Sequence, residues 1–580
     1  MKLKLFITLW LVLLFPSANA WVSVGSSPGY GTCTYTSIQQ ALNAGASEIR
    51  VLNNQDFVEN LVIDYAVDVK GGYSSCLSAT LNLTENTKTV IKGSASLGSS
   101  VVTIDTINNP IVSLSKLVLQ DATDTIFVVN GGHGIDIGDS NGLIEITDLE
   151  ITNNHSDNGG GIYVGATVGG TLQLVITDTL INQNSANNRG GGIFCAEDDT
   201  IIRVSGNSLI TENNAEEGGG IAALNGCRVT VDSGSSLTPN AGSRGILDNS
   251  ASLRGGGIYL NSAAQLWLQG NKYGFNIFGN NVDPVTVSNN KTQGEGGGIY
   301  AANSSSIEII EGFISSNWAF GGHGGAIFLD SSTTTPVTLS MKTSGKKCWH
   351  PSRCSILSGN HASDYGGAIF MKGGADVEIE NTYIMGNFAD FGTAVYVSGL
   401  GGSGASASIE SSYLYGNGSN GGDSTYDYYM IRGNGDVSIN LLHNTIADND
   451  VNNTRAVIGI NDSSLTIKNT IFRNVGETVL ESSGTNFTEF SCLISNENSS
   501  IPANVIDPEF IDEVNHNYHL SSLSPAIDLC TIVSAVTLDA DNDIRAWDDP
   551  TAYNNGVNYI YDAGADESYI NDIIFKNSFH

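Results

Sequence analysis

The chain has 580 residues, with 25 Lys and Arg against 59 Asp and Glu and a formal net charge of −34. Such a balance repels nucleic acid and anionic membrane surfaces, which excludes partners held by phosphate contacts. With 68 glycines, 11 prolines and abundant Thr, Ser and Asn, the composition opposes a helical repeat and favours short strands and turns.

In chain order, the first twenty residues read as a secretory signal. Lys2 and Lys4 form a positive start, residues 5–15 an apolar core, and Ala18-Asn19-Ala20 a cleavage site before Trp21. No later stretch reaches the roughly 18 apolar residues of a spanning helix, so the mature chain is expected to carry no transmembrane segment. Eight cysteines in an exported chain point to disulfides, and the near pairs are Cys33 with Cys76, Cys195 with Cys227, Cys348 with Cys354, and Cys492 with Cys530. About 105 pairings are open to eight cysteines, so spacing alone leaves the connectivity undecided.

From residue 159 one block recurs. It reads GGGIYV at Gly159, GGGIFC at Gly190, GGGIAA at Gly218, GGGIYL at Gly255, GGGIYA at Gly296, GGAIFL at Gly324, GGAIFM at Gly366 and, in worn form, GTAVYV at Gly392. Steps between blocks range from 26 residues (Ile369 to Val395) to 42 (Ile327 to Ile369), so loops of differing length are inserted into one structural unit. Two further β-rich runs lie between blocks, as in residues 171–176 and 179–181. Three short strands per coil with Gly and Asn corners predict an all-β fold, a single-stranded right-handed parallel β-helix. Residues 101–119 and 144–153 read as opening coils, and 437–449 and 465–474 as later coils without Gly-Gly corners.

An Asn precedes most blocks: Asn154, Asn184, Asn214, Asn249, Asn317, Asn360 and Asn387. Asn tolerates a left-handed corner, and stacked one per coil these residues are expected to form an amide ladder. Strand alternation assigns the faces of each block. The branched residue and the second residue after it (Val164, Cys195, Ala223, Leu260, Ala301, Leu329, Met371, Val397) point into the core, and the one between points out. That outward position holds Tyr163, Phe194, Ala222, Tyr259, Tyr300, Phe328, Phe370 and Tyr396, a stripe of rings spaced by roughly 4.8 Å per coil.

These GG[GA]I[YF] blocks resemble the repeats of secreted right-handed β-helix proteins, including the passenger regions of polymorphic outer-membrane proteins. The N-terminal segment resembles the entry of pectate-lyase-like helices, which implies a short capping helix at 37–44 followed by strands at Glu48–Leu52, 59–63 and Val67–Tyr73. Near the end, Asp507-Pro508-Glu509-Phe510, Tyr518-His519-Leu520, Ser524-Pro525-Ala526-Ile527-Asp528, Asp539-x-Asp541-Asn542-x-x-Arg545 and Asp562-x-Gly564-Ala565-Asp566-Glu567 resemble the choice-of-anchor-Q closing region of bacterial β-helix proteins. The expected organisation is therefore a signal at 1–20, a cap and first coils at 21–85, the repeats at 86–505, a closing region at 506–568 and a tail at 569–580. These likenesses imply a bacterial protein, extracellular or on the outer cell surface.

The ring stripe is the leading candidate for ligand binding, because aromatic faces stack on sugar rings and a regular ladder matches a polymer; the other reading is that the rings stack on one another. His323, in Gly322-His323-Gly324, resembles a triplet of pectin-degrading hydrolases and is the catalytic candidate. The three carboxylates such chemistry needs are absent around it, and a glycine-flanked corner His is the alternative. A lyase needs a basic residue beside a uronate; Arg189, Arg254 and the group Lys342, Lys346, Lys347 and Arg353 are the available bases. Asp539, Asp541 and Asp543 have the alternate-carboxylate spacing that suits calcium, with an ion pair to Arg545 as the other reading. Regular repeats without a convergent acid–base set favour a non-catalytic, adhesin-like protein binding polysaccharide or a cell-surface glycan. The alternative is a polysaccharide lyase or glycoside hydrolase acting on an acidic polysaccharide.

Overall fold

The computed structural model describes residues 21–568, except 27–30, 94–98, 123–130, 166, 234–243, 271–284, 333–334, 344–353, 401–403, 419–427, 452–454, 475, 497–499, 532–536, 546 and 548–558. The signal segment, Lys346, Lys347, Cys348, Arg353 and the tail at 569–580 lie outside the described residues. Among the described residues no helix is long and apolar enough to cross a membrane.

One chain path repeats along the molecule. Ile162–Val164 forms a strand on what we term the Gly-Gly face, Thr167–Thr177 follows on the long face, and Leu180–Asn182 on the short face. Ser185–Arg189 then adds a corner strip before the next coil starts at Ile193–Cys195. Each strand pairs in parallel with its counterpart one coil on: Ile162 lies opposite Ile193, Leu174 opposite Ile202, and Ile181 opposite Ile210. Among the described residues the Gly-Gly face holds 14 strands and the corner strip seven. The fold is the expected right-handed parallel β-helix, with the corner strip added as a fourth short strand in the middle coils.

Parallel pairing begins at the N-terminus, where Val22–Val24 lies beside Glu48–Leu52. Helix α1 (Ile38–Asn43), capped by the Ser37 hydroxyl, buries Ile38, Ala41 and Leu42 against the first coils, as expected of a cap. A second short helix, α2 (Cys76–Thr80), starts at a Ser75 capping box that the sequence reading did not anticipate. Inside the coils a single apolar cluster runs from Val22 to Ile501. It includes Ile162, Val164 and their equivalents, all buried, and each buried Ile, Val, Leu or Met among them contributes about 1.5–3 kcal/mol.

The glycine block has two separate requirements. Its first glycine is left-handed in every copy, with φ between +62° at Gly255 and +69° at Gly296. Its second has no room: a Cβ on Gly191 would collide with the carbonyl oxygens of Asn214 and Gly219 in the next coil.

At the corner between the short face and the corner strip the left-handed residue is not the buried asparagine but the one before it: Asn153, Gln183, Glu212, Asp248, Asn289 and Ser316, all with φ near +55°. The asparagine that follows serves through its amide, which corrects the expected role. Asn184 Nδ2 donates to Asn213 Oδ1 at 3.1 Å and to the Ile151 carbonyl at 2.9 Å, while the Asn184 backbone N–H donates to the same Asn213 Oδ1 at 3.0 Å. The pattern repeats through Asn154, Asn184, Asn213, Asn249, Asn290, Asn317, Asn360, Asn387, Asn417, Asn449 and Asn474. Asn213, not Asn214, occupies the second coil's rung; Asn214 faces solvent on the corner strip. One amide per coil thus satisfies backbone groups that the corner removes from water.

The closing region folds back over the outer side of the short face, where Ile356, Tyr383, Tyr413, Thr445, Ile471 and Ile494 form one row. Asn381 Nδ2 donates to Asn542 Oδ1 (3.0 Å), the Ser411 hydroxyl to the Leu538 carbonyl (2.9 Å), and the Gly564 N–H to the Asn469 carbonyl (2.8 Å). Disulfide Cys492–Cys530 ties this layer to the last coils, while Cys33–Cys76 and Cys195–Cys227 link near neighbours as the spacing suggested. Cys354 is also disulfide-bonded.

Asn213→Ala strands several buried donors and acceptors and should lower stability by roughly 3 kcal/mol. Asn214→Ala, one residue away, should change it by less than about 0.5 kcal/mol. Urea unfolding followed by circular dichroism compares the two.

Candidate binding surfaces

The outward residues of the Gly-Gly face stack from coil to coil. Ring centroids lie 5.4 Å apart for Tyr163 and Phe194, 5.5 Å for Tyr259 and Tyr300, 5.1 Å for Tyr300 and Phe328, 4.9 Å for Phe328 and Phe370, and 5.5 Å for Phe370 and Tyr396. At Ala222 the column lacks a ring, and Leu224 and Ala196 join the cluster there. Phe194, Tyr259, Tyr300, Phe328, Phe370 and Tyr396 are only 1–9% exposed, and Tyr163 is half-buried. This corrects the expectation of an open aromatic face, since ring faces already stacked on one another cannot also receive a sugar.

The cover comes from a position at which the sequence singled out Arg189, Arg254 and His323 without showing the row they belong to. The residue just before each glycine block is in line with its equivalent one coil on, through bonds such as Gly190 N–H to the Glu217 carbonyl and Gly296 N–H to the His323 carbonyl. This row reads Asn158, Arg189, Glu217, Arg254, Glu295, His323, Tyr365 and Phe391, and continues to Tyr428 in the next coil. Arg254 lies over the Tyr300 ring at 5.2 Å, His323 packs on Phe370 at 4.8 Å and Tyr365 on Tyr396 at 4.7 Å. The signal was present in the alignment of the blocks, as a run of charges followed by a run of rings at one position.

His323 is thus a sealing residue of the column. Burial holds its imidazole below the usual range, opposed by Asp364, whose carboxylate is 3.6 Å away, and by Glu295. Of the bases considered for a lyase, Arg189 and Arg254 are also engaged. Arg189 pairs with Glu217 at 2.8 Å, and Arg254 with Glu217 at 3.3 Å and Glu295 at 3.5 Å. Lys342 stands in register with Glu380 on the long face.

The long face presents straight polar rows. One runs Arg203, Thr230, Trp267, Glu308, Ser340, Glu378 and Ser408, and beside it run Gln265, Ser306, Thr338, Asp376 and Ser406. An open groove of about 590 Å³ lies along them, with Trp267 half-buried and its Nε1 donating to Glu308 Oε2 at 3.1 Å. Glu308, Asp376 and Glu378 make the groove acidic, and the described lining includes no Lys, Arg or His. On the corner strip, Trp318 and Phe320 are 38% and 39% exposed and stack at 4.5 Å, with His361 against Trp318 at 4.6 Å. Neither surface was named from the sequence.

The Asp539, Asp541 and Asp543 triplet does not converge on one point. Its backbone turns at Asn542 (φ +63°), so Asp539 accepts the Asp543 N–H at 2.7 Å and the Glu567 N–H at 3.0 Å, and Asp543 is half-exposed. Asp541 instead lies beside His519 and Asp566. Burial, then Asp541 and Asp566, hold the Asp539 carboxyl well above the usual range.

Residues 178–196 and 284–302 match the Chlamydia polymorphic membrane protein (Chlamydia_PMP) repeat. Each match ends on a glycine block and its sealed ring, Phe194 in one and Tyr300 in the other. Over 165 residues, 27% of this chain, the sequence is 31% identical to a protein of Chlamydia pneumoniae named "Probable outer membrane protein pmp20". The aligned stretch spans 9% of that protein's length.

Asp136 stands in register with Tyr163 at the start of the ring column, where burial and then Asp105 push its carboxyl up to about 6. An acid raised in the folded state stabilises the fold below its unfolded value of 3.8, and that contribution is lost as pH rises through about 6. Asp136→Asn should therefore raise the melting temperature at pH 7.5 and leave it nearly unchanged at pH 3.5, in parallel thermal melts.

Proposed function

We propose that the chain is exported through residues 1–20 and displayed at a bacterial outer surface, where it acts as an adhesin-like rod that binds a glycan without cleaving it. The likeness of its repeats to those of outer-membrane proteins supports the location. The long face carries the binding reading: its rows of polar side chains repeat coil after coil beside a groove that pairs an indole with carboxylates. A repeating ligand can meet a repeating surface through many weak contacts, with affinity growing with the number engaged. The acidic walls favour a neutral or amino-bearing sugar chain, because an acidic polymer would meet like charge.

The lyase reading fits this groove poorly. It requires a base and a neutralising cation beside a uronate, and the described lining supplies carboxylates instead.

Trp267→Ala should weaken retention of a bound glycan at least tenfold, about 1.4 kcal/mol, without changing the melt. Trp318→Ala serves as the comparison on the corner strip. Affinity electrophoresis against neutral and amino-sugar polymers measures both; undiminished retention by Trp267→Ala removes the groove as the site.

A further inference from the structure

The closing region buries several carboxylates around one guanidinium. Arg545 directs Nη1 to Glu567 at 3.3 Å and its remaining donors to the Ser411 hydroxyl and to the carbonyls of Leu538, Gly564 and Ala565. Asp539 holds two backbone N–H groups, as noted, and Asp562 accepts those of Asp528 and Ser568. Those groups cap turns. Asp566, which accepts the Leu520 N–H at 2.9 Å, and Asp541 lie together beside His519.

One ligand atom each of His519, Asp541 and Asp566 lies within 4.8 Å of the other two, and all three residues are buried. His519 Nδ1 faces Asn517 Oδ1, which also accepts the His519 backbone N–H at 3.3 Å. An amide oxygen only accepts, so Nδ1 carries the proton, and Nε2 faces Asp541 Oδ1 3.4 Å away, as a lone pair when the ring is neutral and as an N–H in an ion pair when it is charged. Two acceptors facing each other out of water need positive charge between them or on the ring. Beside them Tyr413, 1% exposed with its ring 5.5 Å from that of His519, brings a buried hydroxyl without a hydrogen-bond partner into the field of Asp566 and Asp541.

We propose that His519 Nε2 and the carboxylates of Asp541 and Asp566 bind one divalent transition-metal ion of the zinc class, with the Tyr413 hydroxyl beside its remaining position. Donors about 2.0–2.2 Å from a tetrahedral ion lie about 3.3–3.6 Å apart, which brackets the His519–Asp541 separation. Asn517 fills the role of the outer partner that fixes the tautomer of a ligating histidine. An imidazole among few oxygens suits zinc over calcium, which takes six to eight oxygens. The ion links three segments of the closing region where they cover Tyr413 of the short face. This inference is independent of the adhesin reading.

The test uses the chain from Trp21, purified without added histidines. Its metal content is measured by mass spectrometry, and it is melted before and after chelation and after adding back Zn²⁺, Mn²⁺ or Ca²⁺. About one transition-metal ion per chain is expected, with a melting temperature that falls on chelation and returns with Zn²⁺. His519→Gln and Asp541→Asn should bind no ion and melt like the chelated protein, unaffected by Zn²⁺. Absence of bound or acquired metal, recovery with Ca²⁺ alone, or unchanged metal content in both variants overturns the proposal. If one variant fails to fold, the other variant and the chelated wild type still decide it.

Discussion

Strict register between coils is the constraint on which the rest of the molecule depends. Because Ile162, Ile193 and Ile221 stand directly over one another, strand and corner positions in a coil meet their own equivalents in the next, while inserted loops do not. A residue type that can partner itself is then favoured everywhere. Asparagine does so through a donor and an acceptor on one amide, rings do so by stacking, and isoleucine by packing. Glycine enters where backbone meets backbone too closely for a side chain.

That self-pairing explains which parts were legible in the sequence. The glycine blocks and the inward alternation follow from local pattern, the cap at α1 from the family resemblance, and these stand as expected together with the near pairs Cys33–Cys76, Cys195–Cys227 and Cys492–Cys530. The outward direction of Tyr259 and Tyr300 was legible too, but not their burial. Their cover is supplied by side chains such as Glu217, Arg254 and His323, which lie next to them only after the chain has made a full circuit. The ladder shows the same limit on a finer scale: Asn213 and Asn214 are adjacent and identical in type, and only the left-handed turn at Glu212 decides which one enters the interior.

The two ends of the charge distribution serve different purposes. Charges on the Gly-Gly corner, Arg189, Glu217, Arg254 and Glu295, alternate in sign along the axis and neutralise one another while sealing the rings. On the long face Glu308, Asp376 and Glu378 stay in an open groove whose described lining holds no opposite charge. In the closing region carboxylates go inside, around Arg545 and His519, and hold turns against the short face. His519, Asp541 and Asp566 come from segments far apart in sequence, which is why the evenly spaced Asp539, Asp541 and Asp543 was the pattern visible first.

Binding without cleavage is the central functional claim. Its most direct test is to incubate the purified chain from Trp21 with neutral, amino-bearing and acidic polysaccharides, following retention of intact polymer together with new reducing ends and unsaturated-uronate absorbance. Retention of a neutral or amino-bearing polymer with no new ends is the predicted result. New ends or uronate absorbance that grow with time and with protein concentration would contradict it and make the chain an enzyme.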